Sequence, residues 1–280
     1  MQDQTPNHQD AYAPAEIAVR VRQAGRVKAE LPLAELLVLA VLAGAFIALG
    51  SAFFTVAVTG STLPFGITRL IGGLAFCLGL ILVVVAGAEL FTGNVLIVMA
   101  WASRLVSTRR LIRSWSAAYV GNLIGAVATA VVVYWSGAWS FADAKVGGSA
   151  LAIAVAKAEL PFVRAFFLGV LCNALVCLAV WLCFSARSTT DRILCVLFPI
   201  TAFVAMGFEH SIANMYFLGL GLLLRAEPAA LAAAALPAER LAALSWQGFF
   251  GNLVPVTLGN LVGGGVLVAT TYWFAYLRGR

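Results

Sequence analysis

Apolar residues run along this chain in blocks far longer than a soluble helix or strand needs. No charged residue stands between Glu35 and Arg69, from Leu70 to Ala88, or from Ser114 to Phe141. About 20 apolar residues in a helix cross the hydrocarbon core of a bilayer, and each block reaches or nearly reaches that length. The pattern predicts six spanning units, at residues 33–58, 70–102, 114–140, 160–185, 194–224 and 249–277. The second and fifth hold 33 and 31 residues, too many for one straight crossing. Each is interrupted near its middle, by GAELFTGN at 87–94 and by GFEHSIAN at 207–214. Both interruptions fit G-x-E-x-x-x-x-N. Glycine weakens a helix, and a carboxylate at bilayer depth faces a cavity or a buried partner. Irregular backbone at that depth is tolerated only inside protein or beside a watery path.

A second pair of short matches falls in the third and sixth spans, GNLIG at 121–125 and GNLVG at 259–263. Spans one to three and four to six therefore read as two copies of one unit. Three is odd, so the second copy is inverted in the membrane. Inverted repeats with paired broken helices are a pattern of transport proteins, with the site between the breaks. The fold expected is an all-α membrane protein with a 3+3 inverted repeat.

Charge sets the orientation. With six spans both termini share a side, and that side carries 12 of the 18 Lys and Arg residues. The positive-inside rule places it in the cytoplasm. The net charge of +6 is thus sorted by membrane side and is no sign of a nucleic-acid partner. Composition agrees: 62% of residues are hydrophobic and 11% charged, against about 45–50% and 25% in soluble domains. The polar start of the chain lacks the basic-then-apolar order of a cleavable signal peptide. The five cysteines read as packing residues, since their spacing suits no metal. Two histidines, His8 and His210, leave no pair within the membrane to hold a haem, and no cofactor or metal is expected.

The residues able to do chemistry gather at the breaks. His210 is the one histidine within a span, and a neutral imidazole donates a hydrogen bond while a charged one attracts an anion. Thr92 and Asn173 are further donors for the same place, although each alone is more often a packing residue. Glu89 and Glu209 read as structural acceptors for N–H groups freed where the next half-helix starts, with Asn94, Asn214, Asn122 and Asn260 as structural polar partners. Phe76, Leu80, Leu90, Phe91 and Phe203 flank the breaks as apolar rings that could constrict a pore. Lys28 and Lys157 stand near opposite mouths, either snorkelling or drawing anions inward. An intramembrane enzyme would need a nucleophile–base pair or a metal cluster, and a scaffold would need no paired breaks.

The stretches GAELFTGN, GFEHSIANM, PVTLGN at 255–260 and CNALVCLAVW at 172–181 resemble the formate–nitrite transporter family, over nearly the whole chain from Gly25 onward. TLPFGITRLIGGLAFCLGLIL and the ending TYWFAYLR are similar to its formate branch, while LFTGN departs from the LFTST of some members of that branch. The resemblance implies an aquaporin-like six-helix protomer with its own pore, a homopentamer in the inner membrane, and formate or another small monovalent anion as the transported species; nitrite and hydrosulfide are the alternatives. It implies that Thr92 and Asn173 partner His210, that Leu80, Leu90 and Phe91 form the cytoplasmic constriction, and that Phe76 and Phe203 form the outer one. It also implies vestibule roles for Lys28 and Lys157 and a buried polar pair of Glu209 with Asn260.

Ahead of the channel unit at 31–280, residues 1–30 read as a cytoplasmic tail. Residues 1–13 are polar and read as disordered. From Pro14 the apolar spacing of Ile17, Val21 and Ala24 predicts one face of an amphipathic helix, either a surface anchor or a lid over the pore.

Overall fold

The computed structural model describes residues 11–279, and helices make up every regular element among them. Most of the tail read as disordered, with His8, lies outside the described residues. α1 (Pro14–Glu30) opens with a proline in its first turn and with Glu16 accepting the Ala13 N–H at 3.0 Å. Its buried stripe is Ile17, Ala18, Val21, Gly25 and Ala29. The stripe therefore steps by four residues through Gly25 rather than Ala24, a row that drifts round the helix and brings Gly25 against Ile97 and Ala100.

α2 (Leu33–Val58) is an unbroken crossing, and α3 (Phe65–Ile81) runs on through wider π turns at Leu82–Gly87. The chain is then extended to Leu90 and restarts as α4 (Phe91–Asn94), a 3-10 turn at Val95–Ile97 and α5 (Val98–Ala102). α6 (Thr108–Trp135) completes the first half. The second half holds α7 (Lys145–Ala158), α8 (Phe162–Cys183), α9 (Thr189–Ala205) and, after a second break, α10 (Ser211–Leu224). Two short helices, α11 (Pro228–Ala234) and α12 (Ala238–Ala243), lead to α13 (Trp246–Leu261). α13 continues as π turns through Val262–Thr270 into α14 (Thr271–Tyr276).

Several spans start earlier than the charge-free runs suggested. α3 begins at Phe65, α6 at Thr108, α9 at Thr189 and α13 at Trp246. A basic or hydroxyl residue in a first turn does not end a helix. Arg69 stays inside α3 because its guanidinium donates to the Val204 and Ala205 carbonyls at the end of α9, at 2.6 and 2.9 Å. Five helical stretches among the described residues are long and apolar enough to cross a membrane unaided. α9 and α10, of 17 and 14 residues, are each shorter than that and are separated by the second break.

The two halves repeat each other, helix for helix. α2 packs on α6 as α8 packs on α13. The repeated GN-x-x-G stretches explain how closely: a Cβ on Gly125 would lie 2.0 Å from the Val41 carbonyl oxygen, and one on Gly263 would lie 2.0 Å from that of Val170. The glycines that open both breaks, Gly87 and Gly207, have φ of +88° and +73°, a left-handed conformation that disfavours other residues. The repeat also takes in α1 and α7. Both reach their C-terminal ends within the same five residues, KAELP, at 28–32 and 157–161. α1 is thus the counterpart of α7, packed against the second part of the first broken span.

Candidate functional site

At each break the chain leaves N–H and carbonyl groups without helical partners, and buried groups of that kind need hydrogen bonds. Asn122 and Asn260 supply them. The Asn122 side chain accepts the Phe91 N–H at 2.9 Å and donates to the Ala40 and Glu89 carbonyls at 2.7 and 3.0 Å. The Asn260 side chain accepts the Ser211 N–H at 3.0 Å and donates to the Gly169 and Glu209 carbonyls at 2.9 and 3.0 Å. This corrects the role read for the glutamates, which do not accept the freed N–H groups. It also restates the Glu209–Asn260 pair: Asn260 meets the Glu209 backbone, not its carboxylate. A carboxamide suits the place because it donates and accepts without bringing a charge.

The carboxylates turn to the lysines instead. Glu89 accepts from Lys28 Nζ at 2.5 Å and from Asn94 Nδ2 at 2.7 Å. Glu209 accepts from Lys157 Nζ at 2.8 Å and from Asn214 Nδ2 at 2.6 Å. Each acidic group is thereby neutralised by a lysine from the helix that ends within KAELP. The four sequence-selected residues Lys28, Glu89, Lys157 and Glu209 form two matching pairs.

Two cavities enter from opposite ends. One of about 520 Å³ is lined by Phe76, Phe203, His210, Lys157, Glu209 and Arg69, among others. The other, about 410 Å³, is lined by Leu80, Leu90, Lys28, Glu89, Arg20 and Arg192, among others. Phe76 and Phe203 meet edge to face, with centroids 5.6 Å apart. Glu159, in the loop between α7 and α8, also lines the first cavity. The Arg240 fork, at 2.9 and 2.6 Å, holds its carboxyl below the ordinary range.

His210 and Thr92 stand where the two breaks face each other. His210 is the N-cap of α10, its Nδ1 accepting the Ala213 N–H at 3.1 Å. Its Nε2 lies 3.0 Å from Thr92 Oγ1, and its ring stacks on Phe203 with centroids 5.9 Å apart. With the Nδ1 lone pair engaged, the hydrogen of a neutral ring sits on Nε2 and points to Thr92. The threonine then accepts, and its own hydroxyl hydrogen is left over. Both residues are buried, at 3% and 0% exposure.

Two selected residues lie elsewhere than expected. Asn173 does not reach the imidazole: its Nδ2 donates to the Thr92 and Asn260 carbonyls, at 3.2 and 2.7 Å. It holds the backbone of the first break against α13. Phe91 lines neither cavity and packs edge-on against Tyr119, with centroids 5.0 Å apart. Its backbone is what Asn122 fixes, which turns the ring toward α6. Sequence reasoning missed Asn252, which bonds both Asn214 and the Lys157 carbonyl. It also missed Tyr119, whose hydroxyl meets Thr257 across the two halves at 3.0 Å. In the GNLxG alignment Tyr119 and Thr257 occupy equivalent positions, a signal that a longer comparison of the repeats would have exposed. Among the described residues no group of His, Cys, Asp and Glu is arranged to hold a metal.

Two half-length repeats, two broken helices and two cavities, the first of them reaching the buried His210, define a multi-pass membrane protein of the channel and transporter class. The chain belongs to the formate/nitrite transporter family, whose model matches residues 15–274. It is 42% identical to the formate channel FocA of Escherichia coli strain K12, over 96% of this chain and 96% of that protein. It is 38% identical to a probable formate transporter of Methanothermobacter thermautotrophicus, over 95% and 97%. Among solved structures, a pentameric formate channel with formate bound superimposes with a TM-score of 0.81 at 42% identity, covering 88% of this chain and 98% of that one.

Proposed function

We propose that this protein is a channel for small monovalent anions, formate foremost, in a bacterial inner membrane. It assembles as a homopentamer with a pore in each protomer and with both termini in the cytoplasm. The observation that carries the reading is the buried Thr92–His210 pair, whose imidazole lines one of two lysine-bearing cavities. The related formate channels and the excess of basic residues on one side support it.

An anion is drawn into a cavity by the ammonium hydrogens of Lys28 or Lys157 that Glu89 and Glu209 leave unused. It sheds water at Leu80 and Leu90 on one side or at Phe76 and Phe203 on the other. A bare charge among apolar rings is very costly unless hydrogen bonded. The Thr92 hydroxyl, relieved of donating to His210, offers its hydrogen to the anion. Asn173 keeps the Thr92 backbone in place. The site offers one short donor group deep among apolar residues, which favours a small anion that meets it with a single oxygen.

The test is uptake of labelled formate by proteoliposomes holding the full chain, beside nitrite, hydrosulfide, acetate and lactate. Formate is expected to enter fastest. Thr92→Val, which removes the hydroxyl that meets the anion, is expected to lower formate flux about tenfold, the loss expected for a hydrogen bond made only by the crossing species. A dependence of flux on membrane potential marks passage as the anion; independence marks passage as the neutral acid. No formate flux above that of empty liposomes, or preference for nitrite, defeats the formate reading.

A further inference from the structure

The two halves differ at one polar position beside the lysines. Aligning them through Gly121-Asn122 and Gly259-Asn260 sets Ser114 of α6 against Asn252 of α13. Both are buried, at 0% and 1% exposure. Asn252 donates to the Lys157 carbonyl at 2.9 Å and accepts from Asn214 Nδ2 at 2.7 Å. Asn214 Nδ2 also donates to Glu209, so both amide hydrogens are used, while the buried Asn214 Oδ1 has no partner. Lys157 Nζ therefore bonds a single oxygen, that of Glu209 at 2.8 Å, with the Phe217 ring 5.3 Å away.

In the other half Ser114 is too short to take this part, and its hydroxyl has no partner. Asn94 is free to turn its Oδ1 to Lys28, which then bonds two oxygens, Glu89 at 2.5 Å and Asn94 at 3.3 Å. An ammonium has three hydrogens to give. The Lys28 side has one to spare, and the Lys157 side has two.

We propose that Asn252 is a positioning residue that turns the Asn214 carboxamide away from Lys157, frees an N–H for the incoming anion, and makes the Lys157 vestibule the tighter-binding mouth for a small carboxylate. The inference rests on the channel reading above. Because passive flux obeys detailed balance, permeability at low concentration is equal in both directions. The asymmetry shows in the concentration that half-saturates flux from each face.

The experiment measures formate flux against concentration in right-side-out and inside-out membrane vesicles of a host lacking other formate permeases. The wild-type chain is expected to half-saturate at about five- to tenfold lower formate from the Lys157 face, the effect of one additional charge-assisted hydrogen bond. Asn252→Ser is expected to let Asn214 swing to Lys157 as Asn94 does to Lys28. The half-saturating concentration at that face then rises to the level of the opposite face, which itself stays unchanged. Ser114→Asn is expected to lower the value at the Lys28 face alone, and it carries the test if Asn252→Ser does not assemble. Equal half-saturation of the wild type from both faces overturns the proposal, as does a variant that shifts both faces alike or alters only the maximal flux. Absence of any wild-type formate flux defeats the channel reading instead, so the two failures are distinguishable.

Discussion

A carboxamide answers an N–H and two carbonyls at once, which is why asparagine stands at 122 and 260. Replacing Asn260 by leucine strands the Ser211 N–H and the Glu209 carbonyl in a dry interior and removes a second bond from the helical Gly169 carbonyl. Each buried orphan costs about 1–3 kcal/mol, so the variant is expected to lose on the order of 3 kcal/mol or more. Thermal unfolding of the detergent-solubilised protein measures it, and an unchanged midpoint would mean that the groups find other partners. The glutamates make a graded case. Lys157 is 15% exposed and Lys28 33%, so water compensates the loss of the Glu89 charge better than that of Glu209. Glu209→Gln is therefore expected to lower the unfolding midpoint more than Glu89→Gln, and the reverse order would show that burial is not what decides. At this scale His210 and Thr92 were legible in the sequence because each is a polar side chain in an apolar run. The partners of Glu89, and the turn of Phe91 toward Tyr119, were not, since they depend on contacts between segments remote in the chain.

Elements are read well from a sequence when their signal is long and poorly when it is short. The breaks were legible because glycine, carboxylate and asparagine recur at one spacing in both halves. The π turns at Leu82–Gly87 and Val262–Thr270 were not, since no residue type marks them. α1 was read by its apolar face as a separable tail, and its kinship with α7 escaped because a search for apolar runs passes over a five-residue match such as KAELP. The difference matters for what the segment does. Ile17, Ala18 and Val21 pack into a cluster with Val95, Met99 and Trp181, and Lys28 completes the Glu89 pair. Tyr12 adds a clasp, its ring lying 3.8 Å from the guanidinium carbons of both Arg20 and Arg187. Removing residues 1–24 is expected to lower the thermal midpoint of the protein as well as to alter formate flux. A truncated protein as stable as the full chain would restore the reading of α1 as a loose surface segment.

The whole molecule presents many large apolar side chains outward, among them Phe65, Val132, Trp135 and Phe198, exposed at 81%, 64%, 79% and 80%. A belt of this kind has to be covered by lipid or by neighbouring protomers. With one pore proposed per protomer, native mass spectrometry in a mild detergent is expected to give a pentamer, and a stable monomer or trimer would contradict it. Membrane residence and the inverted repeat were legible at this scale from run lengths and from an odd number of spans. The number of copies was not, because an outward apolar surface reads the same whether lipid or protein covers it.

The matching KAELP endings carry a historical consequence. Two copies of a unit that face opposite ways within one chain trace to a gene of half the present length. Its product, if it worked as a pair, had to insert both ways up, one partner inverted against the other. Fusion then released each copy from serving two orientations. Asn252 opposite Ser114, and His210 opposite Leu90, are among the positions at which the copies differ.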